Sequence, residues 1–196
     1  KGLKGAAVQA AERELMEKSP LEVIDQAMVP ALNTAGERFE KGTLFLPQLL
    51  MCAEAAKGAF GVIRSRMGEG EGMSRGKVVL ATVQGDVHDI GKNIVKALLE
   101  NYRFKVIDMG KDVPPEDILK AAKEQDAKLV GLSALMTTTV PSMQRTIELV
   151  KKELPDCKVM CGGAVLTADY AKQIGADYYT KDAMAGVRCA MEVYPE

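Results

Sequence analysis

Residues 77–101, KVVLATVQGDVHDIGKNIVKALLEN, run from an apolar stretch through a glycine-flanked loop into a helix-like segment. Their reading decides the fold. "KVVLATV" (77–83) is apolar at nearly every position and does not alternate, as a strand covered on both faces requires. Strand-like runs recur at 104–109, 128–134, 158–163 and 176–180, with helix-like segments at about 91–101, 115–125, 141–153, 167–174 and 182–192. Strand–helix alternation with short connections predicts a parallel, doubly wound α/β sheet. Right-handed crossovers leave few topologies, and the flavodoxin-like order 2-1-3-4-5 suits five strands best.

Upstream the period changes to that of helices. Val8, Ala11 and Leu15 recur at helical spacing. Ser19-Pro20-Leu21-Glu22 then carries a serine cap, a proline at the first helical position and a glutamate at the third. Pro30 is expected to bend or split the helix that follows. A further helix starts near Leu46-Pro47 and shows Leu49, Leu50, Ala53, Ala56 and Phe60 on one face. Short connections between successive helices predict a small antiparallel bundle. "MGEGEGMSRG" (67–76) lacks any apolar period and reads as a linker. The expected division is a helical bundle over 1–72, a linker over 73–76 and a Rossmann-like domain over 77–196.

Composition narrows the function. The 196 residues carry a formal net charge of −1, which gives no electrostatic reason to expect nucleic acid or an anionic membrane as partner. No apolar run approaches the ~20 residues of a membrane span. Cys52, Cys157, Cys161 and Cys189 are scattered without a C-x-x-C pair, so reduced thiols in a cytoplasmic protein are expected and a zinc site is not. The chain begins KGLKGAAVQAA without a methionine, as a fragment would. The eleven methionines read as packing.

In a sheet of this class ligands bind beyond the carboxyl ends of the strands, near the switch point between the first and third. Three loops there are rich in small and hydroxyl-bearing residues: 85–91, 133–142 and Gly162-Gly163-Ala164. No G-x-x-x-x-G-K-[ST] and no G-x-G-x-x-G is present, which argues against a nucleoside triphosphatase or a dinucleotide dehydrogenase. A response-regulator receiver would end its third strand in aspartate; here it ends in Ser133-Ala134. His88, the only histidine, lies two residues from Asp86 in the first of these loops. A carboxylate on one imidazole nitrogen orients the other and makes it more basic. No activated nucleophile accompanies it, and one histidine cannot cage a bare metal ion.

Asp86-x-His88-x-x-Gly91, "GERFEKG…FLP" (36–47) and "LSALMTTTV" (132–140) resemble the cobalamin-binding domain of methionine synthase and the corrinoid proteins of methyltransferase systems. The threonine-rich motif looks most like corrinoid proteins serving methylamine and quaternary-amine methyltransferases. The likeness covers nearly the whole chain. It implies a cobalamin or related corrinoid bound base-off, with His88 as lower axial ligand to cobalt in place of the cofactor's own dimethylbenzimidazole. By the same resemblance Asp86 would hold the other imidazole nitrogen, and Thr139 stands where methionine synthase has a serine completing the relay. The cofactor would be bound by Gly85, Asp86, Val87, His88, Asp89, Ile90 and Gly91. Its nucleotide tail would pass Ser133, Leu135, Thr137 and Gly162-Gly163-Ala164, with Ala183 near the base end. Phe45, Leu46 and Leu49 would cap the upper face, although Phe45 and Leu49 serve equally well as bundle core; a plain helix-capping loop is the lesser alternative for Thr137–Thr139.

The function so implied is a methyl carrier in one-carbon metabolism, with no substrate site of its own. Co(I) would accept a methyl group from a substrate:corrinoid methyltransferase. Methyl-Co(III) would then be presented to a corrinoid:thiol or corrinoid:tetrahydrofolate methyltransferase, with a reductive activation protein as a third partner. Proton movement through His88 and Asp86 is expected to couple ligation to transfer, and the linker to let the cap swing. Two rivals share the motif. One is the cobalamin-binding subunit of an adenosylcobalamin mutase, which the helical bundle disfavours. The other is a cobalamin-responsive regulator, for which a DNA-binding helix pair and a basic patch are missing from the sequence.

Overall fold

The computed structural model describes residues 4–66 and 74–195. Most of the segment read as a linker, residues 67–73, lies outside them. The chain divides into two compact units, Lys1–Met73 and Ser74–Glu196.

The first unit is helical: α1 (Lys4–Glu14), α2 (Pro20–Val23), α3 (Val29–Glu40) and α4 (Leu46–Ser65). The start of α2 is a reciprocal capping box. The Glu22 amide donates to Ser19 Oγ at 3.3 Å, and the Ser19 amide donates to the Glu22 carboxylate at 2.9 Å. Of the bend or split expected at Pro30, the split does not occur. A π-helical turn, Ile24–Met28, links α2 to α3, and the Val29 amide reaches back to the Ile24 carbonyl. Proline has no N–H to donate one turn back, and the i→i+5 turn before it absorbs the mismatch without ending the helix. Ala11, Val23, Ile24, Ala59 and Ile63 form the core. α1 approaches α4 at Gly58, where an added Cβ would lie 2.9 Å from the Lys4 side chain.

The second unit is a five-stranded parallel sheet in the order β2-β1-β3-β4-β5, as the sequence predicts. Its strands are β1 (Gly76–Thr82), β2 (Phe104–Asp108), β3 (Leu129–Ser133), β4 (Lys158–Gly162) and β5 (Tyr178–Thr180). The helices are α5 (Ile90–Asn101), α6 (Pro115–Gln125), α7 (Val140–Glu153), α8 (Ala168–Gln173) and α9 (Ala183–Val193). Val79, Ala81, Val130, Leu132 and Val159 pack with residues of α6, α7 and α8. Leu80 and Met160 meet over Gly131, and α5 packs against α9. Burial on both faces explains the unbroken apolar runs. Gly76 corrects the linker reading: it pairs with Phe104 as the first residue of β1. The Tyr194 ring lies so close that any Cβ there would clash at 2.3 Å.

Among the described residues no helix is long and apolar enough to cross a membrane.

Candidate functional site at the carboxyl edge of the sheet

The switch point lies between β1 and β3, which pair directly, so the loops after these two strands are neighbours. Val83 donates its amide to the Ser133 carbonyl at 3.1 Å, extending the β1–β3 pairing by one step. Gly85 then turns the chain at φ +87°, a conformation favouring glycine. Asp86 is fully buried directly beneath that turn.

Every lone-pair direction of the Asp86 carboxylate is used. Oδ1 accepts the His88 amide at 3.0 Å and lies 2.9 Å from His88 Nδ1. Oδ2 accepts the amides of Leu135 at 2.7 Å and Met136 at 3.2 Å, and the Thr139 hydroxyl at 3.0 Å. Burial alone would raise the Asp86 pKa. The His88 and Leu135 amides, the imidazole and the Thr139 hydroxyl outweigh it and hold the carboxyl well below the usual carboxylate range. Asp86 is therefore ionised, and its contact with Nδ1 requires Nδ1 to carry the proton. In the neutral imidazole the lone pair then lies on Nε2. The His88 side chain is 48% exposed, so the imidazole is within reach of a ligand.

Thr139 is buried, and its hydroxyl also lies 2.8 Å from the Met136 carbonyl. One proton serves two acceptors. Thr137 and Thr139 occupy a 3₁₀ turn, Thr137–Thr139, that leads into α7. Its conformation places the Leu135 and Met136 amides on Asp86, so the turn acts as more than a helix cap.

Around His88 the surface is apolar: Val87, Ile90 and Leu135 are exposed. Asp89 precedes α5 without a side-chain capping bond, and Gly91 lies in its first turn. Ser133 ends β3 and pairs with Gly162 at the end of β4. Gly163, at φ +139°, lies so close to the β3 loop that a Cβ would sit 1.8 Å from the Ala134 carbonyl oxygen. Ala164 is exposed beside it. At Gly162 a Cβ would meet Thr180 Oγ1 at 2.5 Å. Ala183 opens α9 after Asp182, whose side chain accepts the Ala185 amide at 2.8 Å. The loops after β1, β3 and β4 are thus joined through Asp86 and Gly163, while Ala183 stands at the start of α9. In the helical unit Phe45 and Leu46 are exposed and Leu49 is buried.

Two features escaped the sequence reading. Lys92 is buried in α5, where its ammonium pairs with Asp108 at the end of β2 and donates to Asn93 at 3.1 Å. Lys96 reaches the other Asp108 oxygen at 3.1 Å. Burial would raise the Asp108 pKa, but the bonds from Lys92, the Gly110 amide and Lys96 bring it down to about 2. The second feature is Asp112, whose carboxylate accepts the Gly85 amide at 2.7 Å. A lysine closing the loop sequence and an aspartate ending an apolar strand were the available signals for the first. The second depends on loop pairing that no sequence pattern marks.

Among the described residues no group of three or more His, Cys, Asp or Glu side chains gathers to hold a metal ion. A single exposed imidazole near exposed apolar side chains, beside loops of glycine and hydroxyl residues, suits a metal that arrives inside its own macrocycle. Comparison with known proteins agrees. A family model described as a B12 binding domain matches residues 76–188, and a second of the same description matches residues 1–64. The dimethylamine corrinoid protein 1 of Methanosarcina acetivorans is 42% identical over 193 residues, covering 97% of this chain and 91% of that protein. A solved cobalamin-binding protein from Desulfitobacterium hafniense has a TM-score of 0.75 at 32% identity, covering 97% of this chain and 98% of that one. The methanol:cobalamin methyltransferase complex of Methanosarcina barkeri has a TM-score of 0.84 at 28% identity, covering 100% of this chain and 76% of the matched one.

Proposed function

The chain belongs to the B12-binding domain family of corrinoid proteins, and from that membership we propose that it carries methyl groups from a methylamine:corrinoid methyltransferase to a second methyltransferase. Dimethylamine is the favoured donor, on the likeness to the dimethylamine corrinoid proteins. The observation that carries the reading is His88: its Nδ1 is bound to an ionised Asp86, and its imidazole is exposed near exposed apolar side chains.

In this reading His88 would hold a base-off corrinoid through Nε2, and the corrinoid would supply a cobalt centre able to take up and give up a methyl group. Asp86 orients the imidazole and stays a carboxylate throughout, because five donors hold it ionised. Thr139 supports the carboxylate from its far side. The exposed Val87, Ile90 and Leu135 would pack against the corrinoid, and its nucleotide tail would pass the loop of Gly162, Gly163 and Ala164. Ala183 lies at the base end of that tail.

The acceptor enzyme acts on a thiol or tetrahydrofolate, and a reductive activation protein restores the reduced cofactor. Cytoplasmic residence belongs to the same proposal, supported by four unpaired cysteines.

The test is transfer of a labelled methyl group to the corrinoid-loaded chain by purified mono-, di- and trimethylamine methyltransferases and by a methanol-specific one. Labelling with dimethylamine at least tenfold faster than with the others supports the assignment. Labelling from methanol alone would overturn the methylamine reading, and labelling by none would overturn the carrier role.

A further inference from the structure

The His88 loop is held on its β3 side by Asp86, and a separate set of bonds holds it on its β2 side. Past the end of β2 the chain stays zipped to β1 and its loop. Met109 donates to Leu80 at 2.8 Å, Thr82 to Gly110 at 3.0 Å, and Val113 to Thr82 at 3.1 Å. Val83 and Val113 form a further bridge. At the end of this seam stands Asp112. Its amide donates to the Asp86 carbonyl at 2.9 Å, and its carboxylate accepts the Gly85 amide at 2.7 Å. One residue thus grips the Gln84–Gly85 and Asp86–Val87 peptide groups, the two that flank the Gly85–Asp86 peptide. The Asp86 amide, bonded to the Val83 carbonyl at 3.0 Å, supplies a third point.

The backbone of Asp112 carries a second indication. It sits at φ +56°, in the left-handed region. Arg103 and Asp126, the other such non-glycine residues described, directly follow or cap the ends of α5 and α6, where that conformation is routine. Asp112 caps no helix. Glycine would adopt its conformation without strain, whereas aspartate adds the one thing glycine lacks, a side-chain acceptor.

We propose that Asp112 is a positioning residue for the axial histidine. It fixes the Asp86 main chain, so that the buried carboxylate meets His88 Nδ1 and commits the proton to that nitrogen. The claim rests on the reading of His88 as the metal-binding side chain, but its first readout needs no cofactor.

Asp112→Gly removes the acceptor and relieves the backbone, while Asp112→Asn keeps an acceptor oxygen and tolerates the same φ. Both are read in the cofactor-free chain at about pH 9, above the range in which imidazoles titrate. His88 is the only histidine, so ¹⁵N spectra report its two ring nitrogens without ambiguity. In Asp112→Gly the ratio of the Nδ1–H to the Nε2–H form should fall about 2- to 5-fold, the size one exposed hydrogen bond carries. Asp112→Asn should restore the wild-type ratio. After loading with a corrinoid, the histidine-ligated fraction at sub-saturating cofactor should follow the same order. A folded Asp112→Gly protein with the wild-type ratio would overturn the proposal, as would an Asn variant that behaves like the Gly one. Failure of the wild-type chain to retain corrinoid would count instead against the functional reading, leaving the ring ratios to decide the role of Asp112.

Discussion

Replacing Asp86 by asparagine would reverse the state of the histidine while changing its shape very little. The carboxylate faces two donors from His88 through Oδ1 and three from Leu135, Met136 and Thr139 through Oδ2. An amide can offer its oxygen to only one of these sides. Three donors outweigh two, so the oxygen turns to the β3 loop and the NH₂ group turns to His88. The His88 amide then loses its acceptor, which costs about 1–3 kcal/mol, and the three remaining bonds lose their charge assistance. Relief of the buried charge offsets part of this. The net destabilisation of the cofactor-free chain is on the order of 3 kcal/mol, read by urea unfolding. The NH₂ group also donates to Nδ1, so the proton must move to Nε2 and the lone pair needed by a metal disappears. ¹⁵N spectra of the single histidine should show Nδ1–H in the wild type and Nε2–H in Asp86→Asn. Retention of Nδ1–H with a loss below about 1 kcal/mol would refute the assignment of Asp86 as the group that sets the ring.

Three further outcomes follow from the same geometry. Gly163→Ala places a Cβ 1.8 Å from the Ala134 carbonyl oxygen, so a loss of about 3 kcal/mol or more is expected; a thermal midpoint within a few degrees of wild type would contradict the close approach of these loops. Lys92→Met leaves Asp108 with Lys96 and the Gly110 amide only, and urea unfolding should give a loss of about 2–3 kcal/mol. Asp108 has its pKa lowered from 3.8 to about 2 on folding, so it contributes stability above about pH 4 that is lost as the pH falls through about 2. That contribution is on the order of 2 kcal/mol, and in Lys92→Met acid unfolding should set in at higher pH than in the wild type.

The order of the sheet was legible because strands buried on both faces must be apolar throughout, and Val78, Val79, Leu129, Val130 and Val159 are. Asp86 and His88 were legible because a single residue separates them and each carries its chemistry in its side chain. The Leu135 and Met136 amides were not, since every residue but proline has an N–H and only the turn at Thr137–Thr139 aims these two. The π-turn before Pro30 was hidden for a similar reason: proline announces a missing donor but not how the backbone accommodates it. Gly76 looked like linker because its neighbours are glycines and glutamates, whereas its place in β1 depends on Tyr194, more than a hundred residues away.

The most direct test is the visible and electron paramagnetic resonance spectrum of the chain loaded with a Co(II) corrinoid, recorded beside His88→Ala. Nitrogen splitting from a histidine in a base-off cofactor, present in the wild type and lost in the variant, is the predicted result. Identical spectra from the two proteins, or no corrinoid retained by the folded wild-type chain, would contradict the account.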